Sequence, residues 1–342
     1  MGNNNGIILV GAGLFGSEAL NFFGFRNVYC FADNHKAGLL HYGKFIISID
    51  ELKKIHKNYT VILSISPKDE SLGKQLDDLQ IPHTHYFEHQ AEYEKSALGN
   101  PRILTWKDTF QGQKCFLIGN GPSLLVSDLD KIKKSGIKSM ACNFINKIFD
   151  KTDWRPELYC CEEASAILLN KEFILNYPLM AKFIRILPNQ EQSEIFNESR
   201  EDIYLFWGGG AIGKLSEEPS KIIYDGNTVM FPMLTIAMYM GFSEIYLIGV
   251  DNSQPPGVHT SDFLNSKNHF YDEDTDELNE RRKIMHPHGY DDNWSKYFNS
   301  VNSHYRVALD YADAHGIKIY NATRGGQLEV FERIDVDRVL GD

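Results

Sequence analysis

Residues 115–124 read CFLIGNGPSL: an apolar run, Cys115 to Ile118, that breaks into Gly119-Asn120-Gly121-Pro122-Ser123. A short apolar run closed by glycine and proline predicts a buried strand entering a tight turn. Gly119 and Gly121 permit that turn and a close approach of backbone to a ligand. Pro122 suits the first turn of a helix, predicted over residues 122–135. Ser123 and the free N–H groups of that helix end would suit a phosphate. Asn120 both donates and accepts, so it suits a phosphate oxygen or a ribose hydroxyl.

Strands alternate with helices on both sides of this stretch. Downstream, 137–143 (IKSMACN), 156–161 (PELYCC), 201–207 (EDIYLFW), 243–251 (SEIYLIGVD) and 317–323 (IKIYNAT) read as strands. Residues 165–190 read as helical up to Pro188, 227–242 (NTVMFPMLTIAMYMGF) as a buried helix, and 296–315 as a helix capped by Ser295. Upstream, 6–13 (GIILVGAG), 27–34 (NVYCFADN), 59–66 (YTVILSIS) and 81–87 (IPHTHYF) read as strands separated by helices at 14–25, 48–57 and 71–80. Strand–helix alternation of this kind gives parallel sheets covered by helices. The expected architecture is α/β with two Rossmann-like parallel-sheet domains. The first spans 1–95, a polar linker 96–113, and a larger domain 114–342 comes after it. Residues 252–294 are polar, rich in Asp, His and Asn, and without period, the pattern of a functional loop.

Composition narrows the function. The chain has 342 residues, 42% of them hydrophobic and 24% charged, enough for two ordinary cores. Its formal net charge of -11 argues against a general nucleic-acid binder. Five cysteines, Cys30, Cys115, Cys142, Cys160 and Cys161, form no Cys-x-x-Cys motif and read as reduced, buried thiols of a cytoplasmic protein. The start, MGNNNGIILVGAG, reads as neither a secretory signal nor a myristoylation site. No run is long and apolar enough to span a bilayer, so no transmembrane segment is expected; peripheral membrane attachment and self-association both stay open.

The upstream strand ends in Gly11-Ala12-Gly13-Leu14-Phe15-Gly16, with Asp33 closing the next strand. That is the setting of a dinucleotide fingerprint, in which the glycines admit a pyrophosphate and the carboxylate takes a ribose hydroxyl. The same glycines would also serve plain helix–sheet packing. Glu162 and Glu163 come after the strand at 158–161, where open α/β sheets place ligands; they suit either a substrate contact or a helix N-terminal carboxylate. Asn321, Thr323, Arg324, Gly325 and Gly326 lie beyond the last strand, with Arg324 a candidate for donor phosphate. His269, Asp272, Asp274, His286 and His288 match no metal-ligand spacing, and no metal is expected.

The segments GNGPSL, Cys142-Asn143, Gly226-Asn227-Thr228-Val229 and GFSEIYLIGVD together resemble two related bacterial families. One is the sialyltransferases of glycosyltransferase family 42. The other is the 6-hydroxymethylpterin pyrophosphokinase MptE-like family, which also contains flagellin-glycosylating motility accessory factors. The N-terminal stretch resembles the small Rossmann-like domains of sugar-modifying enzymes. The resemblance implies a sialyltransferase-type glycosyltransferase domain acting in polysaccharide biosynthesis or protein glycosylation. Its donor would be a nucleotide sugar, CMP-nonulosonate foremost, and its acceptor a glycan or glycoprotein. It would work by inverting single displacement and would need no cofactor. Gly119, Asn120, Gly121, Ser123, Asn143, Thr228, Asp251 and Arg324 would hold the donor. The family's catalytic histidine lies in a lid, here 252–294, where His259, His269, His286 and His288 stand; His288, with His286 second, fits best. The tyrosine that the sialyltransferases carry two residues after the aspartate is Ser253 here, and Tyr271, Tyr290, Arg281 or Arg282 would take over its work. Two alternatives remain: an ATP- and Mg-dependent pyrophosphokinase-like phosphotransferase, and a non-catalytic protein sensing a dinucleotide through Gly11, Gly13, Gly16 and Asp33.

Overall fold

The computed structural model describes residues 6–24, 27–96, 99–186, 200–209, 214–252, 269–271, 276–277, 279–280 and 294–341. They form two compact units, one within residues 1–97 and one built from residue 98 onward. Both are mixed α/β with parallel sheets of Rossmann type.

The smaller unit runs β1 (Ile7–Val10), α1 (Leu14–Phe23), β2 (Val28–Ala32), β3 (Leu40–His41), β4 (Lys44–Ile47), α2 (Ile49–Ile55), β5 (Thr60–Leu63), α3 (Ser71–Asp78), β6 (Thr84–His85) and α4 (Tyr86–Ser96). Its sheet order is β3-β4-β2-β1-β5-β6, parallel throughout except for the β3–β4 hairpin. Period-two alternation splits the core between the faces. Ile8, Val10, Cys30, Val61 and Leu63 pack with Leu52 and Leu76, while Leu9, Phe31 and Ile62 pack with Ala19, Leu20 and Tyr86. Ser48 and Glu51 close a capping box at the start of α2, as the Ser-Ile-Asp-Glu sequence predicts.

The larger unit runs β7 (Lys114–Ile118), α5 (Val126–Ser135), β8 (Lys138–Cys142), β9 (Leu158–Cys161), α6 (Ala164–Leu169), α7 (Lys171–Asn176), β10 (Ala181–Arg185), β11 (Ile203–Phe206), β12 (Gly208–Gly209), β13 (Ile223–Tyr224), α8 (Met230–Tyr239), β14 (Glu244–Ile248), α9 (Trp294–Ala314), β15 (Lys318–Asn321), β16 (Glu332–Arg333) and α10 (Val336–Leu340). Eight strands form one parallel sheet in the order β11-β10-β9-β8-β7-β14-β15-β16. All of Met230–Met238 is buried, so α8 is apolar on every face. Against it lie Val301, Tyr305, Ala308 and Ala312 of α9, spaced three to four residues apart as one helical stripe. Each large apolar side chain buried this way contributes about 1.5–3 kcal/mol.

The chain leaves β7 in two directions. Strands β8 to β11 extend the sheet on one side, and β14 to β16 extend it on the other. β7 and β14 therefore flank a topological switch point, where the connections diverge and leave a crevice beyond the strands' carboxyl ends. The GNG turn ends β7, and Gly249-Val250-Asp251 ends β14.

Several elements differ from expectation. The helix after the GNG turn starts at Val126, so Pro122 and Ser123 sit in the turn rather than in a first helical turn. The stretch 165–190 is not one helix but α6, α7 and the strand β10. Pro178 comes directly after Tyr177, the end of α7, and forbids its continuation. Ser295 lies inside α9 rather than capping it. All five cysteines are free and buried.

Candidate functional site

The GNG turn and the β14 turn are tied together. Gly119 N–H donates to Ile248 O (2.9 Å) and Gly121 N–H to Gly249 O (2.8 Å). Both glycines are required by this approach: a Cβ on Gly119 would overlap Gly249 O, and one on Gly121 would overlap Gly249 O and the Asp251 carboxylate. The Ser123 hydroxyl donates to Asp251 Oδ2 at 2.8 Å. Burial raises the Asp251 carboxyl above its ordinary value, and the Ser123 bonds oppose that shift. Asp251 thus acts as the post that holds the turn, while Gly326 admits the loop beyond β15 against the Asp251 backbone.

Asn120 stands at the mouth of the switch point. Its Nδ2 donates to Cys142 O (3.1 Å) and its backbone O accepts from Phe270 N–H (3.0 Å). Its Oδ1 is buried and has no hydrogen-bond partner among the described residues. A buried acceptor in that state calls for a donor. Asn143 comes after β8 with φ 46°, a left-handed conformation that asparagine tolerates better than most residues. The Tyr159 hydroxyl and Asn170 Nδ2 hold its carbonyl, at 2.7 and 3.0 Å. Its Oδ1 receives the Cys161 thiol at 3.5 Å, leaving the amide N–H₂ as the end that faces away from that thiol.

Thr228 lies in the turn before α8, where Gly226 and Asn227 both have positive φ. It caps Met230 N–H at 3.4 Å and shares a hydrogen bond with the Tyr305 hydroxyl of α9. The same turn supplies Asp225, which pairs with Arg185 at the end of β10 (3.3 Å); both side chains are largely buried. Gly208 makes room for that guanidinium, since a Cβ there would strike Arg185 Nε. Glu162, just past β9, completes the group. It is 8% exposed, and its Oε2 has no hydrogen-bond partner among the described residues. Burial pushes its carboxyl well above the usual carboxylate range, Asp225 and Glu163 add to the shift, and Arg185 opposes it. Glu163 occupies the position before α6 and accepts a hydrogen bond from the Ser165 hydroxyl.

Arg324 and Tyr271 have partners of their own. The Arg324 guanidinium grips Asp128 of α5 through two bonds (2.8 and 2.9 Å) and Asp337 of α10 at 3.0 Å. Tyr271 is buried, with the His269 ring stacked on it at 4.9 Å and the Lys147 ammonium 4.6 Å from its ring centre. His259, His286, His288, Tyr290, Arg281 and Arg282 lie outside the described residues, as does most of the stretch 252–294. Among the described residues no three His, Cys, Asp or Glu side chains gather as a metal site, and no helix is long and apolar enough to cross a membrane.

In the smaller unit, Gly11 and Gly16 serve close packing. A Cβ on Gly16 would overlap Gly11 O, and one on Gly11 would strike Ile65. Gly13 is exposed and open. Asp33 is turned onto its own turn: Oδ2 accepts from Ala12 N–H (3.0 Å), and Oδ1 accepts from His35 and Lys36 N–H (2.9 and 3.2 Å).

Sequence reading missed Arg185, Asp225 and Tyr305. Each left a faint signal: an arginine ending an apolar run (AKFIR), an aspartate before Gly-Asn, and a tyrosine inside an apolar helical stripe.

No curated protein matches the chain. One solved structure, that of the MAf glycosyltransferase from Magnetospirillum magneticum AMB-1, is similar over 97% of this chain at 13% identity and a TM-score of 0.40. This chain spans 57% of that protein's length. Residues 89–256, which include the GNG turn, Asn143, Glu162 and Thr228, match the family described as 6-hydroxymethylpterin diphosphokinase MptE-like.

Proposed function

We propose that the larger unit is a glycosyltransferase. It moves a sugar from a nucleotide donor, CMP-nonulosonate foremost, to a hydroxyl of a glycan or glycoprotein. The observation that carries this reading is the crevice at the β7–β14 switch point, where Asn120 presents a buried oxygen without a partner among the described residues. Open α/β sheets bind nucleotides at that place. Asn120 accepts from a donor hydroxyl, the Asn143 amide donates to the phosphate, and the turn before α8 with Thr228 closes the other side. In the reaction the acceptor oxygen attacks the anomeric carbon as the bond to phosphate breaks. The acceptor's proton passes to a base, for which His288 is the candidate and His286 the second. No metal is required, because amide and hydroxyl donors stabilise the departing phosphate. On this reading Glu162 and Glu163 contact the sugar.

The name of the matching family favours a second reading, ATP- and Mg-dependent transfer of diphosphate to a hydroxymethylpterin. One panel separates the two. CMP-, UDP- and GDP-sugars are tested for binding, hydrolysis and transfer, and ATP with Mg²⁺ for chelator-sensitive diphosphorylation of 6-hydroxymethylpterin. Turnover of a CMP-sugar, cut by His288→Ala with nucleotide binding kept, is the expected result. Failure to bind or turn over any nucleotide sugar overturns the glycosyltransferase reading.

A further inference from the structure

Beyond the nucleotide end, charged groups gather around Glu162 at the carboxyl edge of the sheet. Glu162 feels three charged groups: Asp225, Arg185 and Glu163. The thiols of Cys142, Cys160 and Cys161 and the Tyr305 hydroxyl lie within electrostatic reach of it, and burial keeps all four neutral; the Cys142 thiol is pushed up to about 12. Two other carboxylates and one guanidinium therefore act on Glu162 among the described residues. That guanidinium is already paired with Asp225 at 3.3 Å in a slot opened by Gly208. Glu163 sits at the start of α6 with the Ser165 hydroxyl bonded to it. Glu162 alone is left nine-tenths buried with an oxygen that nothing among the described residues meets. A carboxylate in that state is costly unless a cation and hydrogen-bond donors reach it.

We propose that Glu162, with Asp225 and Glu163 beside it, binds a protonated amine on the sugar substrate. The ammonium donates to Glu162 Oε2, while Arg185 stays with Asp225 and keeps the cluster from excess negative charge. The chemistry selects an amino sugar over its hydroxyl or N-acetyl counterpart, because neither of those brings a positive charge to the carboxylate. Binding also favours the ionised form of Glu162, so a proton leaves the protein as the ammonium arrives. The inference rests on the proposed function only in that a sugar enters this crevice.

The test uses the full chain with CMP present, by calorimetry at about pH 6, where a sugar amine is protonated. D-glucosamine, D-glucose and N-acetyl-D-glucosamine are the probes. Glucosamine is expected to bind at least about tenfold more tightly than the other two, with release of a proton read from the dependence of the heat on buffer. Glu162→Gln is expected to erase that preference and leave CMP affinity unchanged. Equal binding of the three sugars, no binding of any, or a preference that survives in Glu162→Gln overturns the inference. Proton release needs no variant, so the wild-type protein decides the question even if Glu162→Gln misfolds. If CMP fails to bind, the proposed function is what falls, and the glucosamine preference still decides the subsite.

Discussion

Gly121 and Gly13 look alike in sequence and differ in their surroundings. A methyl at Gly121 would collide with the Asp251 carboxylate, the post that fixes the turn through Ser123. Gly121→Ala should therefore destabilise the larger unit by about 1–3 kcal/mol, read as a lower midpoint in urea, and weaken CMP binding. Gly13→Ser meets open space at the first residue of a helix cap, so it should change stability by no more than about 0.5 kcal/mol. Glu162 makes a pH prediction. Its folded carboxyl is held above the ordinary value, so its proton stays on in the folded state while the unfolded chain ionises. Its contribution to stability is full below about pH 4.3 and is lost as pH rises through the folded value. The Glu162→Gln protein should match the wild type in acid and overtake it toward neutral pH; parallel stability curves would refute this. The glycines, Asn120, Asn143 and Thr228 were legible because turn chemistry marks them. Arg185 and Asp225 were not, because only the folded sheet brings the end of β10 to the turn before α8. The ion pairs of Arg324 were not legible either, because its partners, Asp128 and Asp337, lie 196 and 13 residues away.

At the scale of elements, length and polarity decided what could be read. Strands β7, β9 and β14 are near-continuous apolar runs, as strands buried on both faces must be, and α8 is too long and too apolar to be anything but a core helix. β10 was hidden because Lys182 lies within it. That side chain is fully buried yet satisfied by Ile174 O, Tyr177 O and the Asp202 carboxylate, a set of partners no local pattern announces. The β3–β4 hairpin was missed for another reason. Its two-residue turn is Tyr42-Gly43, with φ of 48° and 77°, and tyrosine is not the residue that advertises such a turn. Helix α3 holds a similar mismatch. It ends with Gln80 N–H donating to Asp77 O and Ile81 N–H to Leu76 O, both at 2.9 Å, and Gln80 at φ 54°. Glycine fits that position without strain. Gln80→Gly should stabilise the smaller unit by about 0.5–1 kcal/mol, seen as a rise in its thermal midpoint. An unchanged or lower midpoint would mean the left-handed conformation carries no strain there.

Across the whole molecule, the chain begins a nucleotide-type sheet twice, and the polar groups beside each start distinguish the two. After Gly11-Ala12-Gly13, the one carboxylate placed to take a ribose, Asp33, is spent on three backbone N–H groups of its own neighbourhood. At Gly119-Asn120-Gly121, a buried amide oxygen is left without a partner among the described residues, at a switch point. The better textual match to a dinucleotide fingerprint is thus the start whose ribose-type carboxylate, Asp33, is already engaged. The unmet Asn120 acceptor at the switch point favours a ligand there, because an unmet acceptor costs free energy that a bound donor restores. Hydrogen exchange on the intact chain tests this directly. Saturating CMP should slow exchange at residues 119–123 and 249–251 and leave 11–16 unchanged, since a ligand holds closed only the segments whose opening would release it. NAD(H) should slow neither. Protection at 11–16 with either ligand would move nucleotide binding to the smaller unit and return Asp33 to the role its spacing suggests.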